Sequence, residues 1–141
     1  MNPVNLNPPY IHLPTVPLFG SKVAAGFPSP CDSHQLKRLN IHEYLVDQEE
    51  STFIVSVCSS SLRDIGILPE DKVVVNKAAN AKIGSVVLAV VNGEFTLKIL
   101  ALGKNGCPLL NSANADFEPI EIKTGMDFEI WGVVTGSFRK F

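Results

Sequence analysis

The chain has 141 residues, 45% of them hydrophobic and 18% charged, with 12 Lys and Arg against 14 Asp and Glu for a formal net charge of −2. That length holds one domain with a sizeable core and leaves no room for a second full domain. Scattered cations on a slightly acidic chain argue against direct, sequence-independent nucleic-acid binding, which needs a basic surface to neutralise phosphates.

In chain order the first feature is proline. Seven of the ten (Pro3, Pro8, Pro9, Pro14, Pro17, Pro28, Pro30) fall within the first thirty residues, where they remove backbone donors and forbid helix. Residues 1–35 therefore read as an extended N-terminal arm. Its apolar members Tyr10, Ile11, Leu13, Val16, Leu18, Phe19 and Phe27 suggest that it lies on a surface, and a disordered leader is the competing reading. The arm has neither a basic n-region nor a continuous apolar run, so neither a signal peptide nor a membrane span is expected. Near its end, Ala24-Ala25-Gly26 places small residues in an otherwise bulky stretch. Such a stretch is either a hinge or a place where another group can approach the backbone closely.

Residues 36–141 read as a β-rich domain. Strands are expected over Thr52 to Val57, Lys72 to Val75, Ser85 to Val91, Glu94 to Leu100 and Phe128 to Val134, with weaker ones near Pro108 to Leu110 and Pro119 to Ile122. Asn92-Gly93 between two apolar runs is the strongest hairpin signal, because both central residues of a type I′ turn need positive φ. No amphipathic helix of useful length and no helix-turn-helix is seen, so any link to DNA must pass through a partner. Three widely spaced cysteines, Cys31, Cys58 and Cys107, form no metal-ligand pattern and suggest free thiols in a reducing cytoplasm. No cofactor or metal is expected.

Two features of the β domain carry chemistry. Ser59-Ser60-Ser61-Leu62 follows directly on the first long strand; small polar residues at a strand end are usually just a turn whose hydroxyls satisfy nearby backbone. Lys98 stands in the middle of the strand after the hairpin, with Phe95, Leu97 and Ile99 facing one side and Thr96, Lys98 and Leu100 the other. Its ammonium either reaches water or is held in a half-apolar setting, and the second case lowers its pKa and makes it a base. Trp131 is read as core or interface. His12, His34 and His42 precede the β domain and give little support to a Ser-His-Asp triad.

Arm, serines and lysine stand in the order and at the separations of one family. Pro17-Leu18-Phe19, Gly26-Phe27-Pro28-Ser29-Pro30, Asn92-Gly93-Glu94-Phe95-Thr96-Leu97-Lys98, Asn111-Ser112-Ala113 and Gly132-Val133-Val134 resemble blocks of the UmuD proteins, the SOS-mutagenesis relatives of the self-cleaving domain of the LexA repressor. The likeness runs from about Pro17 to Val134. It implies a mostly β, LexA/signal-peptidase-like curved sheet and a cut between Ala25 and Gly26, with Ser61 as nucleophile and Lys98 as general base. It also implies a cytoplasmic homodimer, cleavage stimulated by the RecA filament on single-stranded DNA, and a shortened subunit that joins a UmuC-like Y-family polymerase for translesion synthesis. The nucleophile block departs from the family's Gly-Asp-Ser-Met. Leucine for methionine conserves volume, but serine at position 59 would cost on the order of 1–2 kcal/mol if positive φ were needed there. The alternative is a non-cleaving interaction module on the same fold, regulating the same polymerase.

A lysine of ordinary pKa, about 10.4, is neutral in only roughly one molecule in 2,500 at pH 7, so burial must raise that fraction. From Gly26 to Gln35 the chain can extend about 33 Å, against a radius of gyration of about 13 Å for a domain of this size. Either the molecule's own arm or a dimer partner's can therefore reach the site.

Overall fold

The computed structural model describes residues 14–20, 22–26 and 37–141. The arm residues Tyr10, Ile11, Leu13 and Phe27, the Phe27–Pro30 block, His12, His34, Cys31 and the expected boundary at 35/36 lie outside the described residues. Contacts divide the chain into two compact units, Met1–Leu45 and Val46–Phe141.

In the first unit, β1 (Val16–Leu18) pairs antiparallel with β2 (Lys37–Leu39), Val16 opposite Leu39. Arg38 fastens the pair, donating from Nε to Thr15 Oγ1 at 3.0 Å and from Nη2 to the Thr15 carbonyl at 2.9 Å. A single-turn helix, α1 (Ile41–Leu45), follows. Asn40 caps it, its Oδ1 accepting from the Glu43 N–H at 3.0 Å.

The second unit is a seven-stranded antiparallel sheet. Its strands are β3 (Thr52–Ser56), β4 (Lys72–Asn76), β5 (Val86–Val91), β6 (Glu94–Leu102), β7 (Pro108–Asn111), β8 (Ile120–Glu121) and β9 (Phe128–Phe138), in the order β3-β4-β9-β5-β6-β7-β8. All seven strands expected for this region are present. The β5–β6 hairpin turns at Asn92 (φ 49°) and Gly93 (φ 82°), the two positive-φ residues its sequence signals.

Both faces of the sheet are covered, which explains the near-continuous apolar run of β5. Leu88, Val73 and Val75 join Val57, Leu62 and Ile67 in one core, with Leu97 and Ile99 of β6 packed against it. Val87, Ala89, Leu110 and Ile122 form the other, joined by Leu100. Pairing shifts register between Val74 and Val75 and between Leu88 and Ala89, and such irregularities bend a sheet. Gly132 lets β9 pass close to β4, since a Cβ there would lie 2.6 Å from Val75 Cγ1 and 3.0 Å from the Asn76 carbonyl oxygen.

Beyond β9, Arg139 clamps the loop that leads into β4. Nε and Nη2 donate to the two carboxylate oxygens of Asp71, each at 2.6 Å, and Nη2 also reaches the Gly66 carbonyl at 2.8 Å. This guanidinium first, and the Leu68 N–H second, hold the Asp71 carboxyl at about 2 against an ordinary 3.8. A carboxylate with a depressed folded pKa stabilises the fold fully above its unfolded value and loses that contribution as pH falls through the folded one. Melting temperatures recorded across pH 2–5 should therefore drop steeply from pH 3.8 downward in the parent protein. In Arg139→Ala the neutral-pH value is lower and that acid limb shallower.

Candidate active site

The three serines are held by a short, heavily tied turn. Where β3 ends, the Val57 N–H donates to the Asp71 carbonyl at 2.8 Å and the Val57 carbonyl accepts from Glu70 N–H at 2.7 Å. Leu62 then drops into the core, 1% exposed. A 3-10 turn, Arg63–Ile65, begins at once and closes on Gly66 (φ 86°). From the other side, the stretch after β7 grips the same residues. Ala113 N–H donates to the Ser61 carbonyl at 2.7 Å, Asp64 N–H to the Ala113 carbonyl at 2.8 Å, and Asn114 Nδ2 to the Ser60 carbonyl at 2.8 Å.

Ser61 is thereby fixed with 2% exposure. Its Oγ accepts a hydrogen bond from Ser59 Oγ at 3.2 Å. Among the described residues, positive φ outside glycine occurs at Glu70, Asn92 and Asn105, so Ser59 is free of left-handed strain. The cost anticipated for a side chain at this position does not arise.

Lys98 lies on β6 opposite Val87 of β5 and is 8% exposed. Phe117 covers it, with Nζ 5.6 Å from the ring centroid. Among the described residues no carboxylate forms an ion pair with it and no hydrogen bond joins Nζ to Ser61 Oγ. Of the two settings open to this lysine, it takes the half-apolar one, and burial pushes its pKa down from 10.5. The end of β3 and the start of β6 border a groove of about 270 Å³, lined by Val55–Ser59, Leu88 and Phe95–Leu97; of the three serines only Ser59 lines it, and Lys98 does not. A larger cavity of about 570 Å³, bordered by Lys104, Glu118, Glu121 and Lys123, contains none of the candidate residues.

Ala25 and Gly26 belong to the first unit, whereas Ser61 and Lys98 belong to the second. Both arm residues form an exposed bend. A Cβ at Gly26 would meet open space, so local packing does not require glycine there. Trp131 lies outside the core, 37% exposed, edge-on to Phe95 at 5.0 Å and beneath Lys77 Nζ at 5.0 Å. His42 sits on α1, exposed, in the first unit. No cluster of metal-ligating side chains occurs among the described residues, nor any helix long and apolar enough to cross a membrane.

Three contacts carry no signal in the sequence. Asn114 stands one position beyond the Asn111-Ser112-Ala113 block, Phe117 has no local signature, and the Ser59 hydroxyl shows only as a departure from the family's pattern.

Residues 17–135 match the Peptidase S24-like family. The chain is 38% identical over 124 residues to Protein MucA of Salmonella typhimurium, covering 87% of this chain and 84% of that protein. It is 34% identical over 127 residues to Protein SamA of Salmonella typhimurium strain LT2, covering 89% and 86%. With the LexA repressor of Polaromonas naphthalenivorans it shares 35% identity over 125 residues, 89% of this chain but 52% of the repressor. A serine-peptidase family spanning most of the chain, on a mostly β sheet of the LexA-like kind, settles the assignment: the chain belongs to the Peptidase S24-like family as one of its UmuD-like members.

Proposed function

We propose that this protein acts in SOS mutagenesis by cutting its own arm between Ala25 and Gly26. Ser61 Oγ attacks the Ala25 carbonyl carbon while neutral Lys98 takes the hydroxyl proton. The C–N bond then breaks, Lys98 returns the proton to the departing Gly26 amine, and water releases the acyl group. The observation that carries this reading is Lys98, an amine buried mid-strand without an anionic partner among the described residues. A structural lysine would be expected to reach solvent or a carboxylate.

In this reading the protein is a cytoplasmic homodimer, the trigger is the RecA filament on single-stranded DNA, and residues 26–141 join a UmuC-like Y-family polymerase in translesion synthesis. Removal of the arm changes the surface presented and hence the set of partners. One observation favours the non-cleaving module instead: among the described residues no hydrogen bond joins Lys98 Nζ to Ser61 Oγ.

Intact mass separates the two. After incubation with RecA, single-stranded DNA and a nucleotide analogue, or at alkaline pH alone, the enzyme loses residues 1–25. Its rate climbs with pH as Lys98 deprotonates and levels off above the amine's lowered pKa. An unchanged mass under both conditions selects the module, and a pH-independent rate removes Lys98 from the mechanism.

A further inference from the structure

We propose that the Ser59 hydroxyl, together with the Ser61 N–H, forms the oxyanion hole, so that Ser59 is a catalytic residue and not merely part of the turn. This rests on Ser61 being the nucleophile. Ser59 Oγ lies 3.2 Å from Ser61 Oγ and 3.5 Å from Ser61 N. A hydroxyl that only satisfied the turn would bond a backbone N–H at about 2.7–3.2 Å. Here the backbone contact is the longer one, leaving that N–H only weakly engaged, and the closer partner is the nucleophile's oxygen.

Burial separates the two serines. Ser59 is half-buried and lines the groove, whereas Ser61 is 2% exposed and is not part of the groove wall. A carbonyl carbon bonded to Ser61 Oγ would place its oxygen near both the Ser61 N–H and the Ser59 hydroxyl, since Ser59 Oγ is within 3.5 Å of both Ser61 atoms. As the Oγ–C bond forms and the carbonyl π pair moves onto oxygen, the rotatable hydroxyl turns its hydrogen from Ser61 Oγ to the new anion. The weak N–H contact is exchanged for a charge-assisted one. The peptide between Ser60 and Ser61 is braced for this, because Asn114 Nδ2 donates to its own carbonyl, that of Ser60, and Ala113 N–H to the next, that of Ser61. The glycine usual at position 59 in the family could not supply this donor. The substitution that looked like damage to the site is, in this chain, part of it.

The test compares the full-length protein with Ser59→Ala and Ser59→Thr, reading the self-cleavage rate at alkaline pH and the binding of a peptide boronic acid ending in Ala-Ala. Boronates form tetrahedral adducts with nucleophilic serines, so they report the oxyanion site without turnover. Ser59→Ala should slow cleavage by about 10²–10³-fold and weaken the boronate, with the melting temperature and the midpoint of the pH profile unchanged. Ser59→Thr, which keeps the hydroxyl, should recover most of both. Cleavage by Ser59→Ala at or above the parent rate, still abolished by Ser61→Ala, overturns the role of Ser59 and leaves the Ser61 assignment intact. A boronate adduct mapped to Ser59 overturns both, as does a parent protein that neither cleaves nor captures the boronate. If the parent captures the boronate on Ser61 without cleaving, weaker capture by Ser59→Ala still supports the donor and unchanged capture rejects it.

Discussion

Replacing Lys98 with methionine is expected to abolish the proposed self-cleavage and to raise the melting temperature at neutral pH, both effects having one cause. Burial lowers the Lys98 pKa from 10.5, so the folded protein holds that proton less tightly than the unfolded chain. Between the lowered value and 10.5 the unfolded state binds more protons, and stability rises with pH. Below the lowered value the amine is charged in both states, and the cost of keeping a cation beneath Phe117 is greatest. The cation–π attraction offsets only part of that cost. Methionine fills similar space without the charge, and each kcal/mol released should raise the melting temperature by about 4–8 °C in a domain of this size. Thermal melts of the two proteins from pH 6 to 11 check this. The gap should be widest at neutral pH and close toward pH 10.5, while the methionine variant retains residues 1–25 at every pH. A variant no more stable than the parent at pH 7 would mean that the amine is well solvated, and with that the case for a neutral base is lost.

Much of the fold was legible because β5 and β6 advertise themselves: six apolar residues, Asn92-Gly93, then an alternating strand. What was missed follows from physics that sequence does not display. β1 contains Pro17, which reads against a strand, yet a proline is tolerated at an edge that needs no donor from it. β9 continues past Val134 to Phe138 through Thr135-Gly136-Ser137, a polar stretch without strand pattern, because pairing with β4 (Lys72 opposite Phe138) supplies the order. Trp131 falls beside the shift in the β5–β9 pairing and turns outward. For Lys98 the sequence posed the right alternative, water or a half-apolar setting, but the answer lies with Phe117, nineteen positions further on. Ser59 could be recognised as unusual, and only the contact with Ser61 Oγ says what its hydroxyl is near.

Truncating Leu62 is expected to cost about 2–5 kcal/mol, the range for Leu→Ala in a packed core, and to impair cleavage well before the protein unfolds. Leu62 is 1% exposed and packs in the core with Val57, Ile67 and Val73. Its carbonyl also accepts from the N–H groups of Ile65 and Ile67 at 3.2 and 3.3 Å. The side chain is therefore the anchor of the turn whose preceding residue is Ser61. With total stability of about 5–15 kcal/mol for a typical domain, such a loss lowers the denaturation midpoint sharply. A cavity directly behind Ser61 also allows the turn to relax, and a displacement near 1 Å in a reacting group can cost about 10²-fold in rate. Leu62→Met is the matching control: it restores the family's residue, conserves volume and should cost under about 1.5 kcal/mol. Urea denaturation and alkaline cleavage measured on both variants make the comparison. If Leu62→Ala lowers stability but leaves the cleavage rate intact, then the backbone ties from Ala113 and Asn114 suffice to hold Ser61. If Leu62→Met cleaves faster than the parent, the leucine had been holding the turn slightly off the geometry that the reaction requires.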